Sequence, residues 1–407
     1  MASHDPGTNV GPGAGRGPER PAAPRRLLDA AAGPLHPAAR STLLAAVDVG
    51  WADPARLHAE GRRARGLLDR AREVVAAGLG ARPGEVSFLP SGPTALARAV
   101  DGITYAARRR GARTVTSAVE HSAVLVPARA RAAAAADPTL LEEVAVDARG
   151  RVDLRAWAAA VAHPATVVAA LQSANGEVGT RQPLGEARAA AAAHGLPLLV
   201  DASAGLGRDT APTEWDVLVG DARSWGGPPL GVLVVREGVR WHWDGARADV
   251  EHGRTDVTPW VPLALAAAEA WQQTAATRPA DAPAAHALVD RIRAAAAEVP
   301  DTEVVGDPDD RLPHVVTFSS LYVDGEAVVG AFDAAGFAVA SGSACTSSTL
   351  EPSHVLAAMG VLTHGNVRVT LPLPAVSPAL AADVDAFVET VAPTVRAVRD
   401  RLGVGDL

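Results

Sequence analysis

Short apolar runs, β-branched or Leu-rich, recur at residues 114–118, 166–171, 196–201, 216–221 and 231–236, with Ala-rich segments of helical length between them. Runs of this length bounded by turn residues suit strands buried on both faces. Their alternation with helices predicts an α/β protein whose mostly parallel central sheet is covered by helices. Helices are expected at 93–110, 122–134, 184–194 and 262–274, each opening near a capping residue or a proline and rich in helix formers. Beyond residue 285 the order becomes mixed: a helix to about 297, strands at 314–319 and 367–371, and helices at 325–335, 351–359 and 378–402. That change predicts a smaller C-terminal α/β domain, with Pro279 and Pro283 marking a hinge before it. The expected organisation is a disordered tail over 1–25, an arm over 26–45 packing on the small domain, a large domain over 46–280 and the small domain over 281–407.

Composition narrows the function classes. Charged side chains interrupt every Ala-rich stretch before a membrane-spanning length of apolar residues accumulates. The Gly-, Pro- and Arg-rich start lacks the apolar core of a signal peptide, so a cytoplasmic protein is expected. A net charge of −8 argues against a nucleic-acid partner. Cys345 is the one cysteine, which excludes an intrachain disulfide and a cysteine-based metal cluster. The histidines near Trp241 and Trp243 match no metal-site spacing, so no metal is expected. Trp51, Trp225, Trp241, Trp243 and Trp260 read as packing anchors.

The strongest local signal is Ala340-Ser-Gly-Ser-Ala-Cys345-Thr-Ser-Ser-Thr-Leu-Glu-Pro-Ser-His-Val-Leu, followed by Gly365-Asn-Val-Arg368. Small residues leave the sulfur unshielded, and a helix begins just after it, an arrangement that favours the thiolate. By these residues alone, a reactive and an inert Cys345 both stand.

The segment resembles the active-site loop and substrate-arginine strand of the pyridoxal-phosphate-dependent cysteine desulfurases, members of the class V aminotransferase group. Other landmarks follow in order from about residue 27 to residue 402. The resemblance implies that Pro90-Ser-Gly-Pro-Thr94 is the turn holding the cofactor phosphate at a helix start, with Thr94 a ligand. It implies that His121, in Ser117-Ala-Val-Glu-His121, stacks on the pyridine ring and joins the catalytic residues, and that Asp201 pairs with the ring nitrogen. Thr258 is implied as a second phosphate ligand donated across a dimer interface, and Arg368 as the clamp on the substrate carboxylate.

The departures cluster where that cofactor would be handled. All 38 Lys+Arg residues are arginine, so no Schiff-base lysine exists anywhere in the 407 residues. The aligned segment is Asp221-Ala-Arg223-Ser224, which puts Ser224 at the lysine position and Asp221 where a phosphate-binding serine belongs. Gly176 and Ala204 stand where an asparagine and a glutamine would flank the ring. A covalent link to pyridoxal phosphate is thereby ruled out, while reversible binding and no binding both stay open.

Each landmark also has a structural reading: His121 as a helix-start residue, Asp201 as a turn cap, Arg368 as a paired core-edge arginine, and Asp221 with Arg223 as a salt bridge filling the vacated pocket. Three functions follow from the resemblance and its departures. One is a sulfur-handling protein with Cys345 as persulfide acceptor or carrier, served by a sulfur donor or acceptor protein. The second is an inactive partner of an active desulfurase, as a homodimer or a heterodimer with that homologue. The third is a lysine-independent enzyme acting on a small carboxylate.

Overall fold

The structure is a computed structural model that describes residues 25–31, 33–341 and 352–404. The expected tail up to residue 24 and most of the Cys345 loop, 342–351, lie outside the described residues. The chain opens with a two-residue strand β1 (Arg26–Leu27) and helices α1 (Pro37–Val47) and α2 (Ala59–Gly78). Alternation then sets in: β2 (Val86–Leu89), α3 (Gly92–Ala107), β3 (Arg113–Ser117), α4 (Ser122–Ala134), β4 (Leu141–Val144), α5 (Leu154–Val161), β5 (Thr166–Gln172), α6 (Leu184–Ala192), β6 (Leu198–Asp201), β7 (Val217–Asp221) and β8 (Gly231–Val235). The seven strands form one sheet in the order β2-β8-β7-β6-β5-β3-β4. β8 alone runs against the direction of the other six strands. Every residue of β5 to β8 is buried, as expected for strands with helices on both faces.

After β8 comes α7 (Val261–Ala297), then β9 (Thr302–Val305), β10 (Val315–Ser320), α8 (Gly325–Ala334), β11 (Phe337–Ala338), α9 (His354–Met359), β12 (Asn366–Thr370) and α10 (Leu380–Arg401). β12, β10 and β9 make an antiparallel sheet whose own core holds Leu28, Ile292, Phe318, Phe332, Phe337 and Phe387. The Phe387 ring lies 5.0 Å from that of Phe332 and 5.3 Å from that of Phe337. β1 pairs with β11, which brings Leu28 into this second core.

The expected hinge at Pro279 and Pro283 is not a break. Both prolines lie inside the 37-residue α7, whose first turns pack in the large core through Val261 and Trp271 and whose last turns pack in the small core through Val289 and Ile292. Proline removes a backbone donor, but burial at both ends of one helix outweighs that local loss. Trp225 is fully buried, whereas Trp51 and Trp260 are 63% and 46% exposed and anchor no core of this chain.

Candidate functional site

In a parallel sheet, ligands collect at the carboxyl ends of the strands, where the loops diverge. Here β3 delivers Glu120 and His121, β5 delivers Gln172 and the Asn175–Glu177 turn, β6 ends on Asp201, and β7 leads into Ser224. With Arg368 from β12 they border one cavity of about 230 Å³. The sequence-predicted residues His121, Asp201, Ser224 and Arg368 therefore meet at one place, although they are spread over some 250 positions.

His121 serves two purposes. Its Nδ1 accepts a hydrogen bond from the Ala123 N–H at 3.0 Å, capping α4, and its ring also faces the cavity. In the neutral ring this leaves the proton on Nε2. Asp201 likewise caps a turn, Oδ1 accepting from the Ser203 N–H at 2.8 Å, while bordering the cavity. Arg368 is almost wholly buried. Its backbone pairs with Ala340, its Nε has no partner among the described residues, and its nearest carboxylate oxygen, on Asp29, is 4.0 Å away. Gly176 and Ala204 open one wall: a Cβ added at Gly176 would meet only the Ala204 Cβ, at 3.6 Å.

Two acidic residues escaped sequence reasoning: Glu120, inside the quoted Ser117 to His121 motif, and Glu177, next to Gly176. Glu120 is fully buried beside Asp201. It accepts hydrogen bonds from the backbone N–H groups of His121 and Gln172. Burial, reinforced by the Asp201 carboxylate, pushes its carboxyl up to about 8. Burial also raises Glu177, against the opposing hydrogen bond from the Ser353 hydroxyl at 2.6 Å and the nearby Arg368. The signal available was adjacency: an acid next to His121, and another in the Asn175 turn.

Thr94 and Thr258 do not border the cavity. Thr258 is exposed just before α7. Thr94 sits in the first turn of α3, its Oγ1 2.9 Å from the Ser91 hydroxyl. The space beside that turn is taken by Asp221. Its Oδ2 accepts the Gly92 N–H at 2.9 Å, and the Arg223 guanidinium grips both carboxylate oxygens at 2.9 and 3.0 Å. The turn that holds them is fixed on its far side by Trp225, whose Nε1 donates to the Ala267 carbonyl and whose ring meets Trp271 edge-on at 5.1 Å. Gly226 closes the turn at φ +77°, where any Cβ would strike Leu373 and His36.

Pyridoxal phosphate, the cofactor that the resemblance implies, does not fit this set of residues. The chain offers no lysine, the Ser224 hydroxyl lies 2.8 Å from the Asp221 carbonyl and 3.1 Å from the Leu206 carbonyl, and a carboxylate fills the turn a phosphate would need. What the cavity presents instead is an under-paired guanidinium facing buried acids, an arrangement suited to a small carboxylate.

The aminotransferase class-V family model matches residues 51–375. The IscS-like cysteine desulfurase of Mycobacterium tuberculosis is 33% identical over 395 residues, covering 92% of this chain and 96% of that protein. The cysteine desulfurase of Gluconacetobacter diazotrophicus is 33% identical over 347 residues, covering 82% and 85%. A solved NifS-like protein shares the fold with a TM-score of 0.81 at 21% identity, covering 91% of this chain and 99% of that one. No helix among the described residues is long and apolar enough to cross a membrane. By sequence coverage and by fold, the chain belongs to the cysteine desulfurase family of class-V aminotransferases.

Proposed function

We propose that this protein handles sulfane sulfur without a lysine-bound cofactor, Cys345 taking sulfur from the persulfide of a donor protein and holding it as its own persulfide. The step is an exchange. The Cys345 thiolate attacks the outer sulfur of the donor persulfide, the donor's sulfur–sulfur bond breaks, the donor cysteine leaves as thiolate, and a new sulfur–sulfur bond stands on Cys345. No outside oxidant or reductant is consumed. The observation that carries this reading is Ser224 at the cavity wall in a chain without lysine, its hydroxyl held near two main-chain carbonyls, while the cysteine loop and Arg368 are kept. A general base and a covalent amine each contribute orders of magnitude to desulfurase chemistry, and a tethered serine supplies neither. A cytoplasmic setting, where thiols stay reduced, suits the single cysteine.

A second reading, an inactive partner of an active desulfurase, draws support from Trp51, Leu57, Val257 and Trp260, large apolar side chains left exposed. A homodimer and a heterodimer with such a homologue are the two forms this reading allows. The first reading is tested by incubating the protein with an active cysteine desulfurase and L-cysteine, then alkylating and mapping peptides by mass. A sulfur-atom increment on the Cys345 peptide is expected in the wild type, and no transferred sulfur in Cys345→Ser. An unlabelled wild-type peptide, with the donor shown to carry persulfide, would sink it in favour of the partner reading, which co-purification with the donor would then check.

A further inference from the structure

We infer that Asp221 is a resident anion that closes the start of α3 to phosphate, so that the cavity bordered by Ser224 rejects phosphate-bearing ligands. The proposal rests on an accounting of donors. The first turn of a helix leaves its N–H groups unpaired and carries the positive end of the helix dipole, which is why phosphates bind there. From Gly92 to Ala95 no backbone donor is left over. The Gly92 N–H goes to Asp221 Oδ2 at 2.9 Å, Pro93 has no N–H, the Thr94 N–H goes to the Ser91 hydroxyl at 3.2 Å, and the Ala95 N–H goes to the Ser91 carbonyl at 3.0 Å.

The carboxylate is as fully engaged as the helix start. Asp221 accepts from the Gly92 N–H, from the Arg223 N–H at 3.0 Å, and from Nε and Nη2 of Arg223 in a two-point grip. Together these four donors match the acceptor capacity of one ionised carboxyl group. The side chain is 7% exposed, and a Cβ placed on Gly92 would lie 2.8 Å from both its Cβ and its Oδ2, so no room for a second anion exists between them. Asp221 is also not borne on a mobile tip. It is the last residue of β7, paired with Gly231 of β8, and Gly231 packs so closely that an added Cβ would fall 2.2 Å from the Ser91 carbonyl oxygen. Sheet and helix start thus hold the carboxylate on the donors a phosphate would otherwise use, three residues before Ser224 at the cavity wall.

The inference makes Asp221 a specificity residue, and removing it should expose a usable anion site made of the Gly92 N–H, the α3 dipole and the freed Arg223 fork. The test uses inorganic phosphate, followed by calorimetric titration and by thermal unfolding at matched ionic strength. Wild type is expected to show no saturable response at millimolar phosphate. Asp221→Ser is expected to bind at least tenfold more tightly than wild type and to gain a phosphate-dependent rise in melting temperature. Where the serine variant does not fold, Asp221→Ala, which empties the same space and removes the charge, is read in the same way. Saturable phosphate binding by wild type overturns the inference, as does a folded variant whose phosphate affinity matches that of wild type. The readout does not involve Cys345, so its failure leaves the sulfur-transfer reading standing, and the converse holds.

Discussion

Replacing Glu251 by alanine is expected to cost about 3–5 kcal/mol of folding stability at pH 8, read as a fall in the urea midpoint. Glu251 has no exposed surface. One carboxylate oxygen accepts from Arg72 and the other from the Phe88 N–H, each at 2.6 Å, and its carbonyl accepts from the Ser87 hydroxyl at 3.1 Å. This one residue ties the segment leading to Thr258 onto α2 and the edge strand β2. Burial raises its carboxyl to about 7 in spite of Arg72, so pH 8 is where the ionised pair is tested. Loss of the acid leaves Arg72 buried, with Asp69 as its remaining ion-pair partner. Arg72→Met strands Glu251 in the same way. Replacing both by methionine removes both desolvated charges at once and should cost less than either single change. A double variant whose loss equals the sum of the two single losses would show that the residues act independently and would defeat this account.

Much of the large domain is legible in the chain because fully buried parallel strands leave an unambiguous pattern. Runs such as those at β5, β6 and β7 have few alternatives to a strand between helices. What fails is whatever depends on the partner rather than on the segment. Pro279 and Pro283 carry a local signal to stop a helix, and two separate cores holding its two ends override it. β9 carries a polar residue, Glu303, in a four-residue strand that exists through its pairing with β10, so periodicity does not find it. Trp51 and Trp260 read as packing anchors by type, yet type alone does not say whether they pack in a core or on the surface, where both are found in this chain. At the site, the motifs placed His121, Asp201, Ser224 and Arg368 around one cavity. A salt bridge between Asp221 and Arg223 is one of two readings open to the chain, but its use of the Gly92 N–H is not legible there, because that bond spans 129 positions.

Raising the pH from about 6.5 to about 9 should cost the wild type about 2 kcal/mol of stability more than it costs Glu120→Gln. In an unfolded chain this carboxyl titrates near 4.5, and in the fold at about 8. Below 4.5 it is protonated in both states, and its contribution is fully present. Between the two values the folded protein holds a proton that the unfolded chain has released, so each step up in pH favours unfolding until the group ionises at about 8. Glu251 and Glu177, also raised by burial, push in the same direction. His314 pushes in the opposite direction at the acid end: it is buried, with Arg208 nearby, and titrates well below 6.5, so its contribution holds above that pH and is lost on acidification. Comparing wild type and Glu120→Gln between pH 6.5 and 9 therefore isolates one carboxyl, since the other groups are common to both. Equal slopes in the two proteins would mean that Glu120 is already ionised at pH 6.5. A shallower slope in the glutamine variant would place a neutral acid beside Asp201 at the cavity floor, so that the wall facing Arg368 carries less negative charge at neutral pH than its count of acids suggests and is better able to admit an anionic ligand.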